Sequence, residues 1–137
     1  MRNPKSEYLN PKQYLINEFQ NSKLYDLEER TLKFAKRVIE CVNKLPKNLP
    51  NIEIARQLVR SSGSVGANYI EANESLGKKD FIMRIKICRK ESKESRYWLN
   101  LISCDHMLED EKDYLIQEAT ELMKIFGAIL EKTNNKR

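Results

Sequence analysis

Hydrophobic residues recur at spacings of three and four in four separate segments of the chain. That spacing places apolar side chains on one face of an α-helix and polar ones on the other. The first predicted helix begins at Asp26, an N-cap followed by Glu29 as in a capping box, and ends before Pro46. Its apolar stripe comprises Leu27, Thr31, Phe34, Val38, Cys41 and Leu45.

The second predicted helix begins at Asn51, a residue that caps helices well, and ends at Gly77. The third spans about 79–107 and the fourth about 110–132. The stripe of the second comprises Ala55, Leu58, Ser62, Val65, Tyr69 and Ala72. The stripe of the third comprises Phe81, Ile85, Cys88, Ser92, Ser95, Leu99 and Ile102. That of the fourth comprises Leu115, Ala119, Leu122, Phe126 and Ile129.

Four such helices with short connections predict an all-α fold, an antiparallel up-down-up-down four-helix bundle. Small residues in the middle of the third stripe predict a close approach to the second helix. We assign residues 1–24 to an N-terminal extension, partly ordered or with a short helix at 13–20, residues 25–133 to the bundle and residues 134–137 to a frayed tail.

Residues 57–72, which read QLVRSSGSVGANYIEA, are unusual for a helix because glycine in a helix interior costs about 1 kcal/mol relative to alanine. Such a helix needs bare surface on which another helix can lie. A second stripe lies opposite the apolar one: Arg60, Ser64, Ala67 and Glu71. It is either a solvated face or a polar seam packed against another helix or subunit, with Arg60 and Glu71 as candidates for ion pairs.

The third helix separates its charges. Six basic residues share an arc of about 120° that contains no acidic residue; they are Lys79, Lys86, Arg89, Lys90, Lys93 and Arg96, the basic arc. The net charge of the chain is +5. An arc of this kind is either a phosphate-binding surface or a solvated lysine-rich face. Because it offers no aromatic platform beyond Tyr97, we expect any binding to follow shape and charge rather than base sequence.

Candidate catalytic chemistry is sparse. His106 is the single histidine, and no metal-ligand, phosphate-loop or nucleotide-binding motif accompanies it. Three cysteines at wide spacing, Cys41, Cys88 and Cys104, are interpreted as packing thiols. We therefore expect no enzyme activity, cofactor, metal or small-molecule substrate. The chain has neither a membrane-spanning apolar run nor a secretory signal, and we expect one domain located in the cytoplasm.

The pattern QL-x-RS-x-x-S-x-x-AN-x-x-E of residues 57–71, with the downstream KESKESRYWLNLI, resembles a family of small four-helix bundles. These are the proteins encoded in intervening sequences of bacterial 23S ribosomal RNA genes, and they include the accessory variability protein of diversity-generating retroelements. YDLEERTLKFAKRV, from Tyr25, resembles the family's usual opening. The similarity covers about residues 25–132.

The resemblance implies a homo-oligomeric ring, a pentamer in the family. A ring needs two different adhesive faces on each protomer. The candidates are the small-residue side of the second helix and the Trp98 side of the third: Arg60, Ser64, Ala67, Asn68, Glu71 and Trp98. The leading function is a non-enzymatic protein that binds structured RNA or a nucleoprotein complex. The alternative is a protein-interaction scaffold or accessory subunit, since the accessory relatives bind a reverse transcriptase.

Overall fold

The computed structural model describes residues 26–135, and this part of the chain contains helices and no strand. The four long helices are α1 (Leu27–Asn43), α2 (Leu49–Asn73), α3 (Lys78–Leu101) and α4 (Glu109–Asn135), with a 3-10 turn at His106–Leu108. The short helix predicted at 13–20 lies outside the described residues. Asp26 caps α1 as predicted, because its side chain accepts the backbone N–H of Glu28 at 2.8 Å.

One hydrophobic core joins the inner faces of all four helices. The four predicted stripes supply most of it, and every stripe residue is buried except Ala55, which is half-buried. Tyr69 of α2 and Phe126 of α4 meet in the middle with ring centroids 6.1 Å apart. Each large apolar side chain buried in this way stabilises the fold by about 1.5–3 kcal/mol.

Each helix packs against its neighbours in the chain, and α4 also contacts α1. The approach of α2 to both neighbours is close. A Cβ atom on Gly66 would lie 3.0 Å from Thr31 Oγ1 of α1, so only glycine fits there without a shift. On the other side, the buried hydroxyls of Ser61 and Ser95 lie 2.9 Å apart between α2 and α3. The predicted close approach of these two helices is confirmed.

The predicted start of α2 was wrong by three residues. Asn48, not Asn51, is the N-cap, and it accepts the backbone N–H of Asn51 at 3.0 Å. Asn51 is buried instead, and its amide joins two loops. Its Nδ2 donates to the carbonyls of Pro46 at 3.1 Å and Ser103 at 2.8 Å, while its Oδ1 accepts the N–H of Ser103 at 3.0 Å.

This amide also explains why the third helix is shorter than predicted. Helix α3 ends at Leu101 rather than at Met107, because Ile102 turns to an extended conformation and Ser103 is bound by Asn51. Ile102 is still buried in the core. Its position in the sequence therefore fits the hydrophobic spacing of α3, although its backbone is no longer helical.

Two other ends also differ from the prediction. Helix α2 ends at Asn73, and Gly77, predicted to end it, is the N-cap of α3. The chain leaves the helix early because the N–H of Ser75 bonds to the carbonyl of Ala72 at 3.1 Å in a tight turn. Helix α4 continues past Lys132 to Asn135. None of the described helices is both long enough and apolar enough to cross a membrane.

Ion pairs between α1 and α4 neutralise the arginines of that interface. Arg30 donates to both carboxylate oxygens of Glu118, at 2.7 and 2.8 Å. Arg37 binds Glu111 in the same way, at 3.0 and 2.6 Å, and stacks on the ring of Tyr114 at 3.7 Å. The hydrogen bonds that Arg37 donates to Glu111 raise the pKa of Arg37.

Candidate nucleic-acid interface

The edge of α3 that faces α2 carries a network of paired charges. Arg60 of α2 donates to Glu91 Oε2 at 3.3 Å and also to Glu94. Glu94 in turn accepts the indole N–H of Trp98 at 3.1 Å, and the ring of Trp98 meets that of Tyr97 edge-on at 5.0 Å. Glu91 is only 7% exposed, so its charge depends on Arg60 for compensation.

The network continues along the same groove through uncharged partners. Arg84 of α3 donates to Asn68 Oδ1 at 3.0 Å. The Asn68 amide donates to both the carbonyl and the hydroxyl of Ser64, each at 2.9 Å. Asn68, predicted as an interface residue, is therefore bonded within its own protomer, as are Arg60 and Trp98.

The outer part of the second stripe behaves differently. Ala67 and Glu71 are exposed, and Ser64 is half-buried. Within residues 26–135 Glu71 has no ion pair, so the pairing predicted for it is not found in the described part of the chain. The pairing predicted for Arg60 is found. The ring contact predicted for this stripe stays a prediction.

The basic arc lies on the outer surface of α3 and is almost free of partners. Lys79, Lys86, Arg89, Lys90 and Lys93 are exposed, and in the described part of the chain none of them pairs with a carboxylate. Arg96 is partly buried and donates to Thr120 Oγ1 of α4 at 3.4 Å. This contact shows that the arc borders the groove between α3 and α4.

Helix α4 adds a basic residue that the sequence did not reveal. Lys86 and Arg89 line a cleft together with Lys124 and Gly127 of α4. Angles along α3 cannot place a residue of α4 beside it, because the relative rotation of two helices is determined by how they pack. A glycine inside a long helix was the available signal, because its cost needs a reason.

Reactive chemistry is scarce across the described residues. No group of histidine, cysteine and carboxylate residues between 26 and 135 could hold a metal ion. Burial confirms Cys41 and Cys88 as packing thiols and raises the pKa of Cys88 to about 12. Cys104 is less buried, and burial together with its hydrogen bond to Glu109 raises its pKa to about 11. Such thiols are poor nucleophiles near neutral pH.

Over residues 26–135, the fold and this surface define an all-helical protein with an unpaired basic face on α3. The chain belongs to the family of 23S rRNA-intervening sequence proteins, whose model matches residues 12–128. The resemblance seen in the sequence is thus confirmed, and the matched range begins upstream of Tyr25, where the similarity was expected to start.

A solved structure gives the same result. It is a crystal structure of a protein with unknown function from the S23 ribosomal protein family of Bacteroides thetaiotaomicron VPI-5482. The two sequences are 26% identical, and the structural match covers 75% of this chain and 96% of that chain, with a TM-score of 0.64. A search of curated proteins found no match.

Proposed function

We propose that this protein is a non-enzymatic, oligomeric RNA-binding protein that engages structured RNA, alone or in a nucleoprotein complex, through the basic arc. The observation that carries the proposal is the lack of carboxylate partners for Lys79, Lys86, Arg89, Lys90 and Lys93 in the described part of the chain. The arginines Arg30, Arg37 and Arg60, by contrast, are all paired. Unpaired cations on one face are free to neutralise phosphates.

The arc follows the axis of α3, and from Lys86 to Arg96 its charges recur about once per turn, or roughly every 5.4 Å. Such a row of cations binds a polyanion by releasing its counterions, and it carries little information about base identity. Affinity should therefore fall steeply with salt and vary little with RNA sequence.

The proposal includes the assembly. Contacts between Glu28 and Asn73, Asn68 and Arg84, and Arg89 and Gly127 support an antiparallel up-down-up-down order. The family resemblance favours a homopentameric ring, in which each protomer repeats the basic arc and weak contacts add by multivalency. We propose a cytoplasmic location, where such a ring would meet RNA.

The test is a charge reversal with a matched control. Lys86, Lys90 and Lys93 are replaced by glutamate in one variant, and Lys36, Lys44 and Lys47, exposed on or beside the diagonally placed α1, in the other. Both variants lose the same charge from the parent value of +5. In filter binding of an RNA stem-loop at low salt, the first should lose retention, by roughly 100-fold or more, while the control stays near the parent.

Circular dichroism and light scattering should show unchanged helix content and mass in both variants. If the parent does not bind RNA, or if both variants bind equally, the basic arc is a solvated face. A specific observation then favours the scaffold alternative: Tyr97 is 58% exposed beside Trp98 and offers an aromatic contact to a protein partner.

A further inference from the structure

We propose that the cleft between α3 and α4 at Gly127 is a phosphate-binding site that holds the sugar-phosphate backbone of RNA. The inference rests on the proposed function and adds α4 as a second wall of the interface. Lys86 and Arg89 line the cleft from α3, and Lys124, Gly127 and Ala128 line it from α4. Basic residues of two helices therefore face one space.

Gly127 shapes the floor of this cleft. A Cβ atom placed on it would lie 3.8 Å from Arg89 Nε and 3.9 Å from Arg89 Cζ, so the guanidinium lies over bare helix backbone. Glycine in a helix interior costs about 1 kcal/mol relative to alanine. The missing side chain lets the Arg89 guanidinium pack directly against the backbone of α4.

The charges of the cleft are available to a ligand. Within the described residues, Lys86 and Arg89 form no ion pair. Lys124 is 70% exposed, and its contact with Glu121 at 3.7 Å is an exposed pair of the kind that contributes about 0–1 kcal/mol. Glu131 is the one carboxylate among the lining residues, against three cations. The cleft is therefore electropositive.

This chemistry fits a phosphate group. A guanidinium offers a fixed fork of donors for two phosphate oxygens, and the lysines add point charges at its sides. The cleft also opens onto the rest of the basic arc, because Lys90, Lys93 and Arg96 continue along α3. A free phosphate would need the cleft alone, whereas a polynucleotide backbone uses the cleft and the arc together, which is why we assign a polynucleotide.

The first arm of the test reverses one charge on α4. Lys124→Glu is compared with Lys36→Glu, an equal change on α1. In a salt titration with the RNA stem-loop, Lys124→Glu should lower affinity roughly tenfold and reduce the salt slope by about one, as expected when one phosphate contact is lost. Lys36→Glu should stay within about twofold of the parent.

The second arm fills the cleft without changing charge. Gly127→Leu would push the Arg89 guanidinium away from the backbone of α4 and should lower RNA affinity roughly fivefold or more, since Arg89 and Lys124 would no longer face one space. Gly127→Ala adds one methyl group at ordinary contact distance from Arg89 and should cause a smaller loss. Melting curves verify that both variants fold. If Gly127→Leu does not fold, the comparison of Lys124→Glu with Lys36→Glu still tests the cleft.

The outcomes separate the two proposals. If the parent binds RNA and the triple reversal on α3 removes binding, while Lys124→Glu matches Lys36→Glu, the cleft is refuted and the proposed function stands. If the parent does not bind RNA, both fail. Inorganic phosphate is tested by its effect on melting temperature. A saturable rise in the parent that Lys124→Glu abolishes, without RNA binding, would identify a free-anion site and overturn the polynucleotide assignment.

Discussion

The two long edges of α3 both carry charged side chains, and they differ in how these charges are paired. On the edge facing α2, Arg60 is bound by Glu91 and Glu94, and Arg84 is bound by Asn68. On the edge facing α4 and the outer surface beside it, the basic residues of the arc have no carboxylate partner among residues 26–135, and Arg96 donates to Thr120. The charges of the first edge are paired between α2 and α3, whereas those of the second edge are available to bind an anion.

The difference shows that charge composition is a poor guide to binding until the pairing is known. Arg60 and Arg89 are the same residue type, on adjacent helices, and both reach the surface. One is part of a folded network and the other is open to an anion. Three pairs of substitutions would break or sharpen this contrast.

The largest effect is expected where α2 and α3 are closest. Ser95→Leu puts a large side chain where the Ser95 hydroxyl lies 2.9 Å from that of Ser61, and both residues are fully buried. Overpacking of this kind should cost about 3 kcal/mol of unfolding free energy. Lys93→Leu, on the outer face of the same helix, should stay within about 0.5 kcal/mol. Chemical denaturation measures both, and equal midpoints would contradict the close packing of α2 against α3.

A smaller effect is expected at Ser64 and Ala67 of the second stripe. Ser64→Leu or Ala67→Leu should weaken ring assembly, because short side chains there leave room for another subunit, with a cost of about 1–3 kcal/mol. Light scattering of the parent should give a mass several times 16.2 kDa, and the variants should give less. Variants that keep the mass and melting temperature of the parent would show that this stripe is only solvated, and a monomeric parent would remove the ring altogether.

The smallest stability effect should come from a pair of arginine substitutions. Arg60→Ala leaves the buried Glu91 carboxylate without Arg60, and its Oε1 already has no hydrogen-bond partner among the described residues. Arg60→Ala should lower the free energy of unfolding by about 1–2 kcal/mol. Arg89→Ala should leave stability within about 0.5 kcal/mol but weaken RNA binding. Denaturation should show the larger loss for Arg60→Ala, and filter binding should show the larger loss for Arg89→Ala. If one variant shows the larger loss in both assays, the two edges do not differ in the way described.

Much of the fold could be predicted because the hydrophobic period determines which side chains enter the core. The stripe from Leu27 to Leu45 is buried throughout, as expected. The ends of helices were harder, since they depend on contacts distant in sequence. Asn51 looks like a cap in isolation, yet it is bound to Ser103 across the molecule.

The candidate surface divides in the same way. The basic arc could be located from angles along a single helix, and its residues do lie on the outer face of α3. Lys124 could not be assigned to the arc, because its position depends on how α4 is rotated against α3. The partners of Arg60 were equally hidden, since Glu91 and Glu94 become its neighbours only when α2 and α3 pack together.

Because of the Asn51 amide, the loops at the two ends of the bundle should differ in how well they tolerate an insertion. The Asn51 side chain donates two hydrogen bonds and accepts a third, and together they join the loop after α1 to the loop after α3. New residues beside Ser103 would therefore disrupt these bonds. At the opposite end, Leu76 is fully exposed and the space around Gly77 is empty. A tag or fluorophore inserted between Leu76 and Gly77 would keep both loops and both edges of α3 intact.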